Sequence, residues 1–268
     1  MKHIKTISTF EKKLTTKGSS PIVFWCDDFH YYACKYGKPN NLFNEYLAAS
    51  FCKIWKIPVP DFSLVTVKEE HIPEGYPKGD FSYPCFGSFY LEHAWESGEF
   101  LNTWESKNYD LEKICNPNDL LKVGLFDLWL CNEDRNHNNN NLLINPTKEG
   151  FQIVAIDHVA IFNSNSFDFK LTQLTEDEVI TNTKFCNLLF KRGAKLNESL
   201  EDLEKNFYLC IKGCSKNLSK ILSEIPSEWG IDVVEREKRI RENLFDETWI
   251  KQTISYFRTV LESSLDKK

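Results

Sequence analysis

The stretch LWLCNEDRNHNNNNLLI, from Leu128 to Ile144, joins one apolar run to another through a long polar loop. The loop contains one aspartate, Asp134, followed by a series of asparagines that includes Asn139 and Asn141. Asparagine clusters are ordinary turn material, so the loop is open to two interpretations. It is either a plain turn between two buried elements or a set of polar groups held in place for chemistry.

The elements on either side of this loop are predicted to be regular and buried. Upstream, DLEKICNPNDLLKVGLFDLWL indicates a helix capped near Asn118 or Asp119 and apolar on most sides. Downstream, LLI, the turn NPTKEG and FQIVAI form a hairpin signal that ends at Asp157. The polar loop therefore lies between a buried helix and a hairpin.

Further upstream, the patterns are those of strands with one helix. PIVFWCDDFHYYACKY indicates a hairpin, LFNEYLAASFCKIWKI a helix that stops before Pro58, and FSLVTV a strand. HIPEGYPKGDFSYP reads as a loop, and CFGSFYLE as a strand or a connector. From Asn163 onward the periodicity is helical almost to the end. We therefore expect an α+β protein with a β-rich N-terminal lobe at residues 1–92 and a helical C-terminal lobe at residues 93–268.

Composition excludes several classes of protein. A net charge of -6 and a pI of about 5.6 argue against direct binding to nucleic acid or to an anionic membrane. Nine cysteines without a C-x-x-C pair indicate small buried residues in a reducing compartment, with no disulfide framework and no zinc site. The first residues lack the apolar core of a signal peptide, and no segment is long enough to cross a membrane. We expect a soluble cytoplasmic protein.

Several polar residues have the types and order that phosphoryl transfer needs. Asp134 and Asn139 have the D-x-x-x-x-N spacing of an acid that orients a hydroxyl and an amide that helps to bind Mg²⁺. Asp157 would complete an oxygen-ligand site at the mouth of the same hairpin. Asn141 directly precedes the LLI strand and competes with Asn139 for the role of ligand.

A possible nucleotide site precedes these residues. Lys35 lies in the second strand of the first hairpin, and Glu45 lies on the following helix, from which it could form an ion pair with Lys35. A small-residue turn that contains Gly18, Ser19 and Ser20 could bring backbone N–H groups to phosphate oxygens. Each feature also has a plain structural interpretation. Lys35 and Glu45 could be solvated, and the two aspartates could cap a turn and a strand end.

Taken in order, GSSP, CKY with Glu45, FGS, NEDR with its asparagines, and AIDH resemble the HipA-like kinases, a branch of the protein-kinase-like superfamily. The resemblance covers residues 15 to 165 and implies a bilobed protein-kinase-like fold. It assigns Lys35 to the nucleotide, Glu45 to Lys35, Asp134 to catalysis, and Asn139 and Asp157 to magnesium. Asp157 is followed by His158 and Val159 instead of the usual phenylalanine and glycine, and no alanine-proline-glutamate segment is present.

The resemblance implies an enzyme that uses ATP and Mg²⁺ to phosphorylate a protein serine or threonine. It also raises a toxin role with a cognate antitoxin as partner, and autophosphorylation at Ser19 or Ser20. Two alternatives remain open. One is a lipid or small-molecule kinase, because DRNH is similar to the loop of type II phosphatidylinositol 4-kinases. The other is a pseudokinase that binds nucleotide without turnover.

Overall fold

The computed structural model describes residues 2–10, 21–107, 111–165 and 169–266, and within these ranges it is a mixed α+β structure with a strand-rich N-terminal region. The strands are β1 (His3–Thr9), β2 (Ile22–Cys26), β3 (Tyr31–Lys35), β4 (Phe62–Thr66), β5 (Cys85–Phe89), β6 (Trp95–Glu96), β7 (Leu142–Pro146) and β8 (Phe151–Ala155). The helices are α1 (Pro39–Trp55), α2 (Ser97–Lys107), α3 (Asn118–Leu130), α4 (Ile161–Asn165), α5 (Lys184–Leu189), α6 (Ala194–Leu222), α7 (Val233–Leu244) and α8 (Glu247–Asp266). The predicted α+β class is confirmed.

The first five strands form a closed barrel in the order β1-β2-β3-β5-β4. The predicted hairpin of β2 and β3 is confirmed, and the CFGSFYLE stretch is a strand, β5, that pairs with both β3 and β4. Strand β1 was not predicted from the sequence. It closes the barrel by pairing antiparallel with β2 and parallel with β4.

The barrel has its own core of aromatic, aliphatic and cysteine side chains. Phe24, Cys34 and Val65 are fully buried there. Gly87 in β5 lies so close to its neighbours that a Cβ atom would be 2.5 Å from the Val65 Cγ2 atom. The strand therefore needs glycine at this position, because the Val65 side chain of the adjacent strand β4 occupies the space that a Cβ atom would take.

Helix α1 confirms the predicted helix and connects the barrel to the larger core. Pro39 occupies its first turn, where a missing N–H costs no hydrogen bond, and the helix ends at Lys56 in the left-handed conformation. Trp55 packs against Phe126 and Trp129 of α3, with ring centroids 5.1 and 5.6 Å apart. Because α1 contacts β5, α3 and α6, most of its faces are buried.

The predicted helix α3 and hairpin of β7 and β8 flank the polar loop. Strand β7 also pairs with the short strand β6, which was not predicted, so the hairpin belongs to a three-stranded sheet. Helix α3 is buried on nearly every side, as its sequence indicated. The loop from Asn132 to Asn141 therefore joins two rigid elements.

The predicted helical periodicity after Asn163 is only partly correct. Phe162, Asn163 and Ser164 have left-handed backbone angles, with φ of 59°, 47° and 56°, so α4 is a short left-handed turn and not a regular α-helix. The segment VITNTKFCNLLFKRG contains a 3-10 turn at Ile180–Asn182 and the short helix α5 instead of one long helix. Its threonines and asparagines favour caps and turns over a helix interior. The long helices α6, α7 and α8 follow as expected.

The cysteines are free thiols, as predicted. Most are buried, including Cys26, Cys52 and Cys186, but Cys115 is exposed and Cys210 is only partly buried. The expectation that all nine are buried was therefore wrong for these two, which lie at a loop and at a helix surface. Within the described residues, no helix is long and apolar enough to span a membrane.

Candidate active site

Lys35 and Glu45 form the expected ion pair. Lys35 is the last residue of β3, and its backbone is fixed by pairing with Phe86 in β5. Glu45 lies on α1 and is 2% exposed. The Lys35 Nζ atom is 2.6 Å from the Glu45 Oε1 atom. The barrel and the helix that leaves it therefore place an ammonium group and a carboxylate together.

Asp157 is the second carboxylate that contacts Lys35. It follows the end of β8, and its backbone has a left-handed φ of 56°. Its Oδ1 atom is 2.5 Å from the Lys35 Nζ atom. One partly buried ammonium thus connects the barrel, α1 and the end of the β7–β8 hairpin.

The pKa values of the three groups reflect this arrangement. Burial favours neutral Lys35, but the two carboxylates outweigh it and raise the pKa of Lys35. Burial also favours neutral Glu45, yet the Lys35 ammonium and the His158 hydrogen bond hold the pKa of Glu45 well below its usual range. For Asp157, burial and the nearby Glu45 raise the pKa, and Lys35 offsets only part of the increase. Glu45 therefore remains ionised, whereas the charge on Asp157 depends more on the neighbouring charged groups.

His158 provides a further contact to Glu45 that the sequence did not predict. Its backbone N–H donates to the Glu45 Oε1 atom at 3.1 Å, and its Nδ1 atom is 3.8 Å from the Oε2 atom. The imidazole is 2% exposed, and its Nε2 atom is 3.8 Å from the Cys52 Sγ atom. His158, which directly follows Asp157, therefore ties the end of the hairpin to α1.

The polar loop brings Asp134 together with both candidate asparagines. Helix α3 ends at Cys131 in the left-handed conformation, and the chain then turns so that the Asp134 N–H faces the Asn132 Oδ1 atom at 3.4 Å. The Nδ2 atoms of Asn139 and Asn141 donate to the Asp134 Oδ2 atom at 2.9 and 3.0 Å. The asparagines are thus organised around one carboxylate.

Two residues of this region were missed from the sequence, Arg135 and its partner Asp127 on α3. Both are almost fully buried, and the Arg135 Nε atom donates to the Asp127 Oδ2 atom at 2.8 Å. Asn132 donates to the other carboxylate oxygen of Asp127, at 2.9 Å. The available signal was an aspartate within the apolar run GLFDLWL, because a buried charge needs a partner.

Glu133, next to Asp134, holds the segment that follows the hairpin. Its carboxylate accepts hydrogen bonds from the Asn163 Nδ2 atom at 3.2 Å and from the Ser164 hydroxyl. Asn163 also pairs with the backbone of Thr172, accepting from its N–H at 2.8 Å. These contacts attach the left-handed turn at residues 162–164 to the polar loop.

The oxygen donors near Asp157 fit a hard divalent cation. The amide nitrogens of Asn139 and Asn141 face Asp134, so their amide oxygens are not used in those bonds. The backbone carbonyl of Asn141 accepts from the Ile156 N–H at 3.1 Å. This bond places Asn141 beside the residue that precedes Asp157. Carboxylate and amide oxygens are the ligands that Mg²⁺ prefers. The described residues contain no group of three or more His, Cys, Asp or Glu side chains that could hold a metal ion, so the proposed ligand set depends on the asparagines.

The remaining sequence-predicted residues, Gly18, Ser19 and Ser20, lie outside the described residues. The structure therefore brings together Lys35, Glu45 and Asp157 as one group, and Asp134, Asn139 and Asn141 as another. The backbone bond between Asn141 and Ile156 joins the two groups.

Comparisons with known proteins concern the fold and the family of the chain. The chain is similar to a solved structure described as a Helicobacter pylori proinflammatory kinase, CtkA, with a TM-score of 0.52 and 16% sequence identity over 99% of both chains. At this identity the similarity concerns the fold. A comparison with curated proteins gives no match. A family model described as HipA-like kinase matches residues 7–260, nearly the whole sequence. The chain therefore belongs to the HipA-like kinase family.

Proposed function

We propose that this chain is an ATP- and Mg²⁺-dependent kinase that phosphorylates serine or threonine hydroxyls of a protein. Family membership supports a kinase that uses ATP. One observation carries the finer proposal: Lys35 contacts both Glu45 and Asp157, while Asp134 is held by two asparagines at the adjoining loop. Phosphoryl transfer relies on positioning and charge, and these groups supply both.

In this proposal, residues 1–92 and 93–268 are the N-lobe and C-lobe of a bilobed protein-kinase-like fold, with ATP between them. Lys35 binds the nucleotide phosphates. An ammonium group has three N–H donors, and two of those of Lys35 are directed at Glu45 and Asp157 in the described part of the chain. The third remains for a phosphate oxygen. Glu45 keeps Lys35 charged and correctly placed. The small-residue turn at Gly18, Ser19 and Ser20 would cover the phosphates.

Asp134 is proposed as the catalytic acid–base group. Its carboxylate would orient the acceptor hydroxyl and accept its proton during transfer. The Asn139 and Asn141 amides donate to the same oxygen, which restrains the rotation of the carboxylate and leaves the other oxygen for the acceptor. An aliphatic hydroxyl needs such a positioned acceptor, because it does not ionise by itself at neutral pH.

Asp157 and one asparagine would hold Mg²⁺, which when bound neutralises charge on the phosphates. We favour Asn141 over Asn139 as this ligand, because the Asn141 carbonyl is bonded to the N–H of the residue preceding Asp157. Asn139 would then serve mainly to fix Asp134. On family membership alone, we extend the proposal to a toxin kinase paired with a cognate antitoxin protein.

The test is transfer of labelled phosphate from ATP, with Mg²⁺, to the chain itself and to proteins of a host lysate, followed by mass spectrometry of the acceptor sites. We expect Asp134→Ala to lower the rate by about 10²- to 10⁴-fold, the usual contribution of a positioned proton acceptor. Its ATP affinity and melting temperature should stay close to those of the wild type.

Asp202→Ala is the matched control, because the Asp202 side chain is 77% exposed on α6 and lies outside the site. It should transfer phosphate at the wild-type rate. If the wild type binds ATP but transfers no phosphate to any acceptor, the chain is a pseudokinase. Label that appears only in lipid or small molecules would instead favour the second kinase class.

A further inference from the structure

Arg135 connects the two halves of the site described above. Its guanidinium is fully buried, and its NH1 atom faces the backbone carbonyls of Asn140, Asn141 and Ile156. The distance from NH1 to the Ile156 oxygen is 3.0 Å. Asn140 and Asn141 end the polar loop, whereas Ile156 lies at the end of the hairpin just before Asp157. One side-chain nitrogen therefore bonds to both segments.

The backbone on both sides of this contact has unfavourable angles. Asn141 has a φ of 46°, and Asp157 has a φ of 56°. Residues other than glycine adopt such angles uncommonly, and asparagine and aspartate are among the types that do so most readily. Two of the three residues whose carbonyls contact Arg135 NH1, Asn141 and Ile156, are themselves joined by a backbone hydrogen bond of 3.1 Å. Arg135 thus contacts the polar loop and the end of the hairpin at or next to residues with uncommon, left-handed backbone angles.

Asp127 explains how an arginine can be buried at this point. Its carboxylate accepts from the Arg135 Nε atom at 2.8 Å, and Asn132 completes its hydrogen bonding. Because Asp127 belongs to the rigid helix α3, its carboxylate holds the Arg135 guanidinium in a fixed position. A planar guanidinium can serve a carboxylate on one side and carbonyls on another, whereas a lysine ammonium is a single point donor.

We propose that Arg135 is a positioning residue that sets the relative placement of Asn141 and Asp157, the two residues proposed to hold the metal. The inference rests on the proposed function for its effect on catalysis. Its structural part, that Arg135 orders residues 134–142 and 156–158, does not depend on activity.

The first experiment compares Arg135→Lys with the wild type by hydrogen exchange and mass spectrometry. The variant keeps the positive charge that Asp127 requires but loses the planar guanidinium with its several donors. We expect exchange in residues 134–142 and 156–158 to accelerate by about tenfold or more, with little change in α6 and α8. Arg258→Lys is the matched control, since Arg258 also contacts a carboxylate, that of Glu204, through its Nε atom far along the sequence. It should leave exchange of the two loop segments unchanged.

Kinetics supply the second measurement. Partners that orient metal ligands typically change metal affinity or activity by about 10- to 100-fold when altered. We expect Arg135→Lys to raise the Mg²⁺ concentration for half-maximal rate and to lower kcat by about that factor. The KM for ATP at saturating Mg²⁺ should change by less than about threefold, because Lys35 is untouched.

Several outcomes would overturn the inference. The first is that Arg135→Lys shows the same exchange as the wild type in both loop segments. The second is that exchange in Arg135→Lys rises uniformly across the chain while the Mg²⁺ requirement per folded molecule stays unchanged. If Arg135→Lys does not fold, the double variant Asp127→Asn with Arg135→Gln replaces it, since it leaves no uncompensated buried charge. A folded double variant with wild-type loop exchange would equally reject the positioning role. An inactive wild type would reject the proposed kinase function, while the exchange data would still decide the role of Arg135.

Discussion

Replacing Lys35 by methionine tests whether the two carboxylates around it depend on its charge. In the wild type, Lys35 neutralises Glu45, which is 3% exposed in its side chain, and Asp157, which is 30% exposed. Lys35→Met keeps the apolar stem but removes the ammonium, so two anions face each other in a largely buried site. Removing one partner of a buried ion pair typically costs about 3–5 kcal/mol.

Partial exposure places the expected loss at the lower end of that range. Water reaches Asp157, and both carboxylates can take up protons, so we expect a destabilisation of about 3 kcal/mol at pH 7.5. For a chain of this size, that corresponds to a fall of about 6–12 °C in Tm. Lys205→Met, which removes a lysine from an exposed pair with Asp202, should lower Tm by no more than about 2 °C.

The deficit of Lys35→Met should depend on pH. In the wild type, the pKa of Glu45 is held below that of the unfolded chain, so its stabilising contribution is complete at pH 7.5 and declines only in strong acid. Without Lys35, burial and mutual repulsion raise both carboxylate pKa values above those of the unfolded chain. Protonation then stabilises the folded variant as the pH falls, so the difference in Tm from the wild type should be smaller at pH 5 than at pH 7.5.

Thermal melting at the two pH values is the assay, with Lys35→Met/Glu45→Gln as a third protein. The double variant has one carboxylate fewer and should regain at least half of the lost Tm at pH 7.5. The reasoning fails if Lys35→Met melts like Lys205→Met at pH 7.5. It also fails if the deficit is equally large at pH 5, because the loss would then come from packing and not from unpaired charge.

Two further predictions concern the proposed metal ligands and the thiols. Asn141→Ala should raise the Mg²⁺ requirement for phosphoryl transfer by about 10- to 100-fold. Asp157→Asn should be more damaging, because it removes a full charge. A larger effect of Asn139→Ala than of Asn141→Ala would reverse our choice of ligand. At pH 8, iodoacetamide should label exposed Cys115 first, as read by peptide mass spectrometry, because burial raises the pKa of Cys26 to about 12 and shields it.

The sequence predicted those elements whose buried apolar residues form a continuous local pattern. Helices α1 and α3, and the hairpins β2–β3 and β7–β8, each contain enough apolar residues in phase to be recognised. Strand β1 does not, since only Ile4 and Thr6 of His3–Thr9 are fully buried and one of them is polar. Its position depends on parallel pairing with β4, a contact between distant residues that no local pattern encodes.

The proposed site residues were chosen from the sequence by type and order, but of their contacts only the ion pair of Lys35 and Glu45 was predicted. Spacing identified Asp134, yet the sequence offered two asparagines for one role. Both amides bind Asp134, and only the backbone pairing of Asn141 with Ile156 separates them. Arg135 was missed for a related reason. Its NH1 atom contacts backbone carbonyls, which are the same in every residue, so its buried partner Asp127 is the one signal that the sequence offers.

The position of Glu45 shows how the core of the protein determines the geometry of the site. Its neighbours on α1 are both anchored: the Asn44 Nδ2 atom donates to the Val159 carbonyl at 2.7 Å, and the Tyr46 hydroxyl donates to the Ile221 carbonyl of α6 at 3.1 Å. One bond ties α1 to the segment after Asp157, and the other ties it to the helical core. Rotation or translation of α1 would break both bonds and would also separate Trp55 from Trp129. The contact between Glu45 and Lys35 is therefore maintained by the packing of α1, and the folded chain holds the lysine charged and oriented before any nucleotide binds.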